Sequence, residues 1–251
     1  MVDFVGAGSG AADLITVRGK KLIENADVII YAGSLVNPEL TEYAKDSCEI
    51  YNSAYMTLDE VIDVMKKAEA EGKNTVRLHT GDPSLFGAIR EQMDRLDALG
   101  IEYRICPGVS SFCGAAAALK AEYTLPEVSQ SVIITRMSGR TPVPEKESLE
   151  SLASHGTSMV IFLSAGMTVE VSERLQNGGY TVETPAALVY KATWEDEKVC
   201  RCTVGTLAET AEKNGINKTA LIVVGDFLGE NRHLSKLYDP GFETGYRKAK
   251  K

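Results

Sequence analysis

Short apolar runs alternate with longer amphipathic stretches through the first half of the chain. The runs that predict strands cover residues 2–5, 28–31, 48–51, 75–79 and 102–105. Apolar residues at steps of three and four predict helices over residues 12–25, 85–96 and 114–121. Another helix is expected to begin after the capping box Thr57-Leu-Asp-Glu60 and to end at Gly72. This alternation predicts an α/β domain in which helices flank a mostly parallel sheet.

The alternation stops near residues 122–127, and strands are more frequent beyond that point. The pattern there predicts strands at residues 131–135, 158–163, 186–190, 198–203 and 219–224. Helices are predicted at residues 146–154, 169–177 and 207–214. We therefore expect a second α/β domain with a mixed sheet. The expected boundaries are residues 1–124 for the N-terminal domain, 125–228 for the C-terminal domain and 229–251 for a tail with little periodicity.

Turns of small residues follow three of the strands predicted in the first half. They are Gly6-Ala-Gly-Ser-Gly10, Thr80-Gly-Asp-Pro83 and Cys106-Pro-Gly-Val-Ser-Ser111. The carboxyl ends of parallel strands share one edge of a sheet, and open α/β sheets usually bind ligands at that edge. Three such turns therefore predict a ligand site there more strongly than any one of them.

The turn at residues 80–83 is the most informative of the three. Gly81 can adopt backbone angles that let another molecule approach the main chain closely. Pro83 suits the first turn of a helix, and Asp82 and Ser84 are both plausible helix caps. We therefore expect the helix to follow Pro83 directly.

The first glycine turn also raises the alternative of a nicotinamide-dependent enzyme. Gly6, Gly8 and Ala11 fit the dinucleotide pattern G-x-G-x-x-A. That pattern needs an acidic residue just after the second strand, whereas Asp27 precedes the strand at residues 28–31. The misplaced carboxylate makes binding of NAD or NADP an unfavoured alternative.

Composition and charge narrow the class of protein. The chain has 251 residues and a net charge of -8. Residues 229–251 hold six Lys/Arg against three Asp/Glu, which leaves 21 against 32, or -11, for residues 1–228. This balance argues against a nucleic-acid partner. Neither a signal peptide nor a membrane-spanning apolar run is apparent, so we expect a cytoplasmic protein without a membrane partner.

The five cysteines and three histidines are scattered along the chain. Their spacing matches no common zinc pattern, so we expect no metal site, and we expect the cysteines to be reduced and mostly buried.

The ordered set of motifs resembles the tetrapyrrole methylases, enzymes of cobalamin and sirohaem synthesis that use S-adenosylmethionine (SAM). The motifs are Gly6-Ala-Gly-Ser-Gly10 with Leu14-Ile-Thr16, Ala26-Asp-Val-Ile-Ile-Tyr31, Gly81-Asp-Pro83 and Pro107-Gly-Val-Ser-Ser111. The resemblance covers residues 2 to about 228. The chain departs from the family at Ser9, where the family has proline.

Four further segments resemble the branch of this family that methylates carbon 11 of precorrin-4 or cobalt-precorrin-4. They are Tyr31-Ala-Gly-Ser-Leu-Val36, Glu122-Tyr-Thr-Leu-Pro-Glu-Val-Ser-Gln130, Thr135-Arg-Met-Ser-Gly-Arg-Thr-Pro-Val-Pro144 and Tyr190-Lys-Ala-Thr-Trp-Glu-Asp-Glu-Lys198. Uroporphyrinogen methylases carry an acidic residue where this chain has Ala32. A sister methylase that acts on another macrocycle carbon stays an alternative, as does a protein that binds SAM or a tetrapyrrole without turnover.

The resemblance implies a two-domain α/β fold, a homodimer, a small tetrapyrrole substrate, and SAM as cofactor with S-adenosylhomocysteine (SAH) as product. The cofactor-binding residues that it implies are Gly81, Asp82, Leu85, Ser110, Ser111, Leu163, Ser164, Lys191, Ala192 and Ala220.

The sequence identifies substrate contacts and catalytic groups less closely than cofactor contacts. Arg136 and Arg140 could pair with substrate carboxylates, since guanidinium binds carboxylate with two parallel hydrogen bonds, or could be solvated surface residues. Tyr31 ends a strand and is either a substrate contact or a core aromatic. His79 could shuttle a proton but is more often a packed strand residue. No catalytic base is assigned. Methyl transfer between two aligned reactants depends mainly on positioning.

Overall fold

The computed structural model describes residues 1–33, 35–230 and 235–249. The chain forms two compact units. Unit 1 combines Met1–Ala115 with the short segment Lys191–Glu197, and unit 2 combines Ala116–Tyr190 with Lys198–Lys251. The domain boundary expected between residues 124 and 125 stays a prediction.

Unit 1 is built on a parallel sheet of five strands in the order β3-β2-β4-β1-β5. The strands are β1 (Val2–Gly6), β2 (Val28–Tyr31), β3 (Glu49–Asn52), β4 (Thr75–His79) and β5 (Tyr103–Cys106). The helices are α1 (Val17–Glu24), α2 (Leu58–Ala70), α3 (Arg90–Leu99) and α4 (Ser111–Leu119). The predicted order of strands and helices in this half is confirmed, with ends that differ by a few residues.

Alternating side chains of the strands supply two apolar layers, one on each face of this sheet. Val2, Phe4 and Ile30 pack with α2 and α3, whereas Val5, Ile29 and Leu78 pack on the other face. The period of two in the strands explains this division. Because both faces are covered, β1, β2 and β4 are buried along almost their whole length, as expected for a parallel sheet.

Two predicted helices in unit 1 begin later than expected. Residues 12–25 divide into a 3-10 turn, Ala12–Leu14, and α1, which starts after the N-cap Thr16. The helix expected directly after Pro83 begins only at Arg90, because Phe86 and Ala88 have left-handed φ angles of 56° and 49° that no α-helix tolerates. The capping box at Thr57 and Glu60 is confirmed.

Unit 2 is built on a mixed sheet in the order β6-β7-β10-β8-β9. The strands are β6 (Val132–Arg136), β7 (Ser158–Phe162), β8 (Pro185–Tyr190), β9 (Lys198–Thr203) and β10 (Ala220–Val224). β6 and β7 are parallel, and the other pairs are antiparallel. Three helices, α5 (Leu149–Ala153), α6 (Thr168–Asn177) and α7 (Leu207–Lys213), pack in one apolar core with β7, β8 and β10. The predicted mixed sheet is confirmed.

The described part of the tail is organised by one arginine. Nη2 of Arg247 donates hydrogen bonds to the carbonyls of Leu237, Asp239 and Phe242 at 2.8, 2.7 and 3.2 Å. A short 3-10 turn, Lys236–Tyr238, is its only regular element within residues 235–249. The absence of sequence periodicity in this segment is consistent with a loop held by side-chain contacts.

The five cysteines are free thiols. Cys106 is buried, but Cys113 is exposed and the other three are partly buried, so the expectation of mostly buried cysteines is wrong. Across the described ranges, the helices lack the combination of length and apolar character needed to span a bilayer.

Candidate functional site

The three turns of unit 1 meet at the carboxyl edge of the parallel sheet. β4, β1 and β5 are neighbours in this sheet, so the loops that follow them are adjacent. A Cβ atom built on Gly6 would lie 2.6 Å from both Gly108 Cα and the Gly81 carbonyl oxygen. The predicted convergence of the turns is therefore confirmed, and glycine is required because backbone fills the space of a side chain.

Backbone hydrogen bonds join the first two turns. Gly81 N donates to the Gly8 carbonyl at 2.8 Å, and Gly8 N donates to the Gly81 carbonyl at 3.3 Å. Both residues have positive φ angles, 84° at Gly8 and 63° at Gly81, which L side chains rarely adopt. The glycines thus build a narrow double turn at the strand ends.

Asp82 ties this double turn to the loop after β5. Its Oδ1 accepts hydrogen bonds from Ser84 N at 2.9 Å and Ser84 Oγ at 2.5 Å, and its Oδ2 accepts from Gly108 N at 2.9 Å. The prediction that Asp82 caps a helix after Pro83 is therefore wrong. Asp82 instead holds two loops together.

The charge of Asp82 follows from these contacts. Partial burial is the largest single influence and raises the pKa of its carboxyl, but the hydrogen bonds from Ser84 and Gly108 together lower the pKa below its ordinary value. Asp82 is an anion at neutral pH, and its charge lies beside the loops that the three turns form.

The remaining predicted cofactor residues of unit 1 lie in these same loops. Ser110 is buried and Ser111 is the first residue of α4, while Leu85 is half-buried after Asp82. Within the described residues, Oγ1 of Thr80 is buried without a hydrogen-bond partner. A buried hydroxyl without a partner at a loop of close backbone contacts is the kind of group that a polar ligand satisfies.

Lys191 and Ala192 belong to the segment Lys191–Glu197, which lies in unit 1 although it connects β8 to β9. Lys191 forms an ion pair with Asp196 at 2.6 Å, and its ammonium lies 5.4 Å from the centre of the Trp194 ring. A Cβ atom on Gly10 would lie 2.2 Å from Trp194 Cδ1 and 2.8 Å from the Ala192 carbonyl oxygen. Trp194 therefore packs on the first glycine turn.

Unit 2 gathers its predicted residues at one edge of the mixed sheet. Ala220 is the first residue of β10 and pairs with Tyr190, the last residue of β8. Extending the register of β7 and β10 by two residues brings Ala220 opposite Leu163. Ser164 is fully buried and accepts from Met137 N at 2.9 Å, which joins the end of β7 to the end of β6.

Three residues in or beside these loops have left-handed backbone angles. Leu163 has φ +53° and Lys191 has φ +46°, and Thr219, which precedes Ala220, has φ +55°. Non-glycine residues in the left-handed region carry strain that persists where function requires it, often at ligand sites. Leu163 is also 63% exposed. This strain favours a ligand role for Leu163 and Lys191.

The predicted substrate residues differ in whether their side chains already make hydrogen bonds to nearby backbone. The Arg136 guanidinium donates hydrogen bonds to the carbonyls of Met137, Thr141 and Pro142 at 2.9 to 3.1 Å. It therefore shapes the loop after β6, whereas Arg140 lies in this loop and is exposed. Tyr31, partly buried at the end of β2, accepts a hydrogen bond at its carbonyl from Ser53 Oγ at 3.1 Å.

His79 is a buried strand residue beneath the loop of Asp82. It is 4% exposed, its ring centre lies 6.0 Å from that of Phe4, and its Nε2 has no hydrogen-bond partner within the described residues. Burial, followed by the nearby Arg77 guanidinium, lowers the pKa of His79 to about 3. The imidazole is neutral at physiological pH, which favours the packed interpretation over a proton shuttle.

Acid should destabilise the protein through His79. The unfolded pKa is 6.5, so below that value the unfolded state binds a proton that the folded state refuses. We expect this group to reduce the free energy of unfolding by about 2 kcal/mol between about pH 6.5 and about pH 5. Urea unfolding across this range should show the loss in wild type and in the control His155→Gln, but not in His79→Phe. An equal loss in all three proteins would contradict the assignment.

The geometry defines an α/β protein with a candidate ligand site built from glycine turns at the ends of parallel strands. The model of the tetrapyrrole (corrin/porphyrin) methylases matches residues 1–208, and the chain belongs to this family. It is therefore a methyltransferase, and the predicted family, fold class and enzyme type are confirmed. The nicotinamide-dependent alternative is not favoured by any of these matches.

Individual relatives agree with the family. The chain is 59% identical to the cobalt-precorrin-4 C(11)-methyltransferase of Methanocaldococcus jannaschii, over 100% of this chain and 97% of the relative. It is 45% identical to the precorrin-4 C(11)-methyltransferase of a Sinorhizobium species, over 98% of each chain. A solved cobalt-precorrin-4 methyltransferase of cobalamin biosynthesis is 47% identical, with a TM-score of 0.89, over 90% of this chain and 95% of that one.

Sequence reasoning assigned no role to Thr193, although a quoted motif contains it. The hydroxyl of Thr193 bonds to Ser9, which is 184 positions away in the chain. No periodicity or motif links residues so far apart.

Proposed function

We propose that the protein transfers a methyl group from SAM to carbon 11 of cobalt-precorrin-4 in cobalamin biosynthesis, and releases SAH. The substrate assignment is supported by 59% identity, over the whole chain, to a relative named for that activity. Two relatives named for cobalt-precorrin-4 are 59% and 47% identical to this chain, whereas the first relative named for precorrin-4 without cobalt is 45% identical. This difference favours cobalt-precorrin-4 as the substrate.

The residues present fit SAM. The cofactor supplies a methyl group made electrophilic by a positively charged sulfur. In unit 1, Gly81 and Ser110 offer backbone and hydroxyl groups, Thr80 offers an unpaired buried hydroxyl, and the Asp82 carboxylate favours a cation. Ser111, Leu85, Lys191, Ala192, Leu163, Ser164 and Ala220 are the other proposed cofactor contacts.

The protein contributes mainly by positioning the two reactants. Holding them aligned replaces an encounter in solution, and this effect supplies a large share of the rate. Arg140 is the proposed partner of a substrate carboxylate, because Arg136 already donates to three carbonyls. Tyr31 stays a proposed substrate contact. We further propose a cytoplasmic homodimer.

The cofactor assignment is tested by calorimetric titration with SAM, SAH and NAD. We expect SAM and SAH to bind wild type and NAD not to bind. Gly81→Val should weaken SAM binding by at least about tenfold, because a side chain at this turn fills the space left for the ligand. Gly72→Val is a matched control, since Gly72 has a similar φ of +67° but no atom within 4 Å of its Cβ position. Binding of NAD in place of SAM would overturn the proposal.

The substrate assignment is tested by turnover with SAM and purified corrin precursors. We expect methylation of cobalt-precorrin-4 at carbon 11, and slower methylation of the cobalt-free compound. Methylation of an earlier precursor, with neither form of precorrin-4 accepted, would assign the protein to a sister enzyme. Bound SAM without methylation of any precursor would instead indicate a binding protein.

A further inference from the structure

Two hydroxyl groups fasten the segment Lys191–Glu197 to the first glycine turn. Ser9 Oγ lies 3.0 Å from Thr193 Oγ1, and Thr193 Oγ1 also accepts a hydrogen bond from Ala11 N at 3.1 Å. Ser9 is 4% exposed, so water does not readily replace these contacts. The Ala11 amide is partly buried, and losing its acceptor there carries a cost in free energy.

Thr193 occupies an unusual backbone conformation. Its φ is +71°, a region that β-branched residues avoid, and its N donates to Glu197 Oε2 at 2.6 Å. Many residues would suit this conformation better than threonine. The hydroxyl contacts to Ser9 and Ala11 therefore explain why threonine stands here, at the cost of local strain.

The same fastening fixes the backbone of two proposed cofactor contacts. Thr193 directly follows Lys191 and Ala192, and the Ala192 carbonyl lies against Gly10. Ser9 also reaches the start of α4, since a Cβ on Gly114 would lie 2.9 Å from Ser9 Cβ. Ser9 thus packs between the helix that begins at Ser111 and the segment that carries Ala192.

We infer that Ser9 and Thr193 are positioning residues for the cofactor: their hydroxyl pair holds Lys191–Ala192 against the glycine turn and so presents both residues to SAM. This inference rests on the proposed function. Neither hydroxyl needs to touch the cofactor, because each acts through the backbone that it holds. Loss of the pair should therefore weaken binding of the cofactor while the fold persists.

The test compares Thr193→Val with a matched control, Thr184→Val. Thr184 Oγ1 also accepts from a backbone N–H, that of Thr181 at 3.0 Å, and also lies near a second hydroxyl, Thr181 Oγ1 at 3.2 Å. Thr184 is 7% exposed and precedes the first residue of β8, whereas Lys191 follows its last residue. Valine keeps the shape and removes the same set of hydrogen bonds in both variants.

Two measurements apply to each variant: the calorimetric Kd for SAH, and hydrogen exchange of the Ala11 amide in the protein without cofactor. We expect Thr193→Val to raise the Kd about tenfold, or about 1.4 kcal/mol, and to speed exchange at Ala11. Thr184→Val should change neither. Thr193→Ser keeps the hydroxyl and should restore wild-type binding, and Ser9→Ala combined with Thr193→Val should weaken binding no more than Thr193→Val alone.

Each other result has a definite meaning. Wild-type affinity in Thr193→Val, or an equal loss in Thr184→Val, overturns the inference and leaves the proposed function standing. If wild type binds neither SAM nor SAH, the proposed function fails and the inference falls with it. Should Thr193→Val not fold, Ser9→Ala removes one hydroxyl from the pair, and wild-type affinity in that variant overturns the inference.

Discussion

Replacing Gly6 by alanine is expected to destabilise unit 1 by at least about 3 kcal/mol and to abolish binding of the cofactor. The new methyl group would lie 2.6 Å from Gly108 Cα and from the Gly81 carbonyl oxygen. Both are backbone atoms, so no side chain can rotate away to make room. The three turns would have to separate, and the narrow loops of the proposed site would be lost.

Urea unfolding of Gly6→Ala and of the control Gly245→Ala checks this expectation. Gly245 has no atom within 4 Å of its Cβ position, and its φ is not positive. The control should unfold within a few tenths of a kcal/mol of wild type. Gly108→Ala should behave like Gly6→Ala, since its Cβ would lie 2.2 Å from the Gly81 carbonyl oxygen. Wild-type stability in Gly6→Ala would show that the turns are not in close contact.

Replacing Asp82 by alanine should have the second large effect. Three donors, Ser84 N, Ser84 Oγ and Gly108 N, would lose their acceptor. Hydrogen bonds to a charged group contribute about 1.5 to 3 kcal/mol each, but water reaches this half-buried site, so we expect a total loss of about 2 to 3 kcal/mol. Because the loops of the proposed cofactor site would separate, SAM affinity should fall by up to about a hundredfold.

The pH dependence identifies the carboxylate as the cause. The folded pKa of Asp82 is below its ordinary value of 3.8, so its stabilising effect is present above that value and is lost as the pH falls through the lowered one. The difference in unfolding free energy between wild type and Asp82→Ala should thus be constant near neutral pH and shrink in strong acid.

Two further variants separate the role of Asp82 from a general turn effect. Asp82→Asn keeps one accepting oxygen and should lie between wild type and Asp82→Ala. Asp239→Ala removes a similar turn contact, to Gly241 N at 2.7 Å, from the tail and should leave SAM affinity unchanged. Equal SAM affinity in wild type and Asp82→Ala would remove Asp82 from the site.

Local patterns were sufficient for most of the secondary structure. The apolar runs of β2 and β10 are long enough to mark strands, and the capping box at Thr57 marks a helix start whatever surrounds it. The starts of α1 and α3 were misjudged because apolar spacing continues through loops. Leu85 and Ile89 have helical spacing, but the chain between them takes left-handed angles at Phe86 and Ala88.

The candidate site was recognisable from sequence where its parts are contiguous. Gly81, Asp82 and Ser110 lie in short motifs that directly follow strands, so their place at the carboxyl edge followed from the strand order of an α/β sheet. The same reasoning did not anticipate the hydrogen bonds of Asp82 to Gly108 or of Arg136 to nearby carbonyls. Their partners, Gly108 and the carbonyls of residues 137–142, depend on how loops fold back, which no local pattern encodes.

The family, the methyl-transfer chemistry and the α/β class were thus readable from the order of motifs and from apolar periodicity, which are properties of short stretches of chain. Three features could not be read from the sequence: the packing of Trp194 and Thr193 on the first glycine turn, the strained backbone at Leu163 and Lys191, and the burial of a neutral His79. The contacts of Thr193 and Trp194 arise when segments nearly two hundred residues apart in the chain pack against each other. Close packing then selects backbone angles and partners that the isolated segments do not prefer.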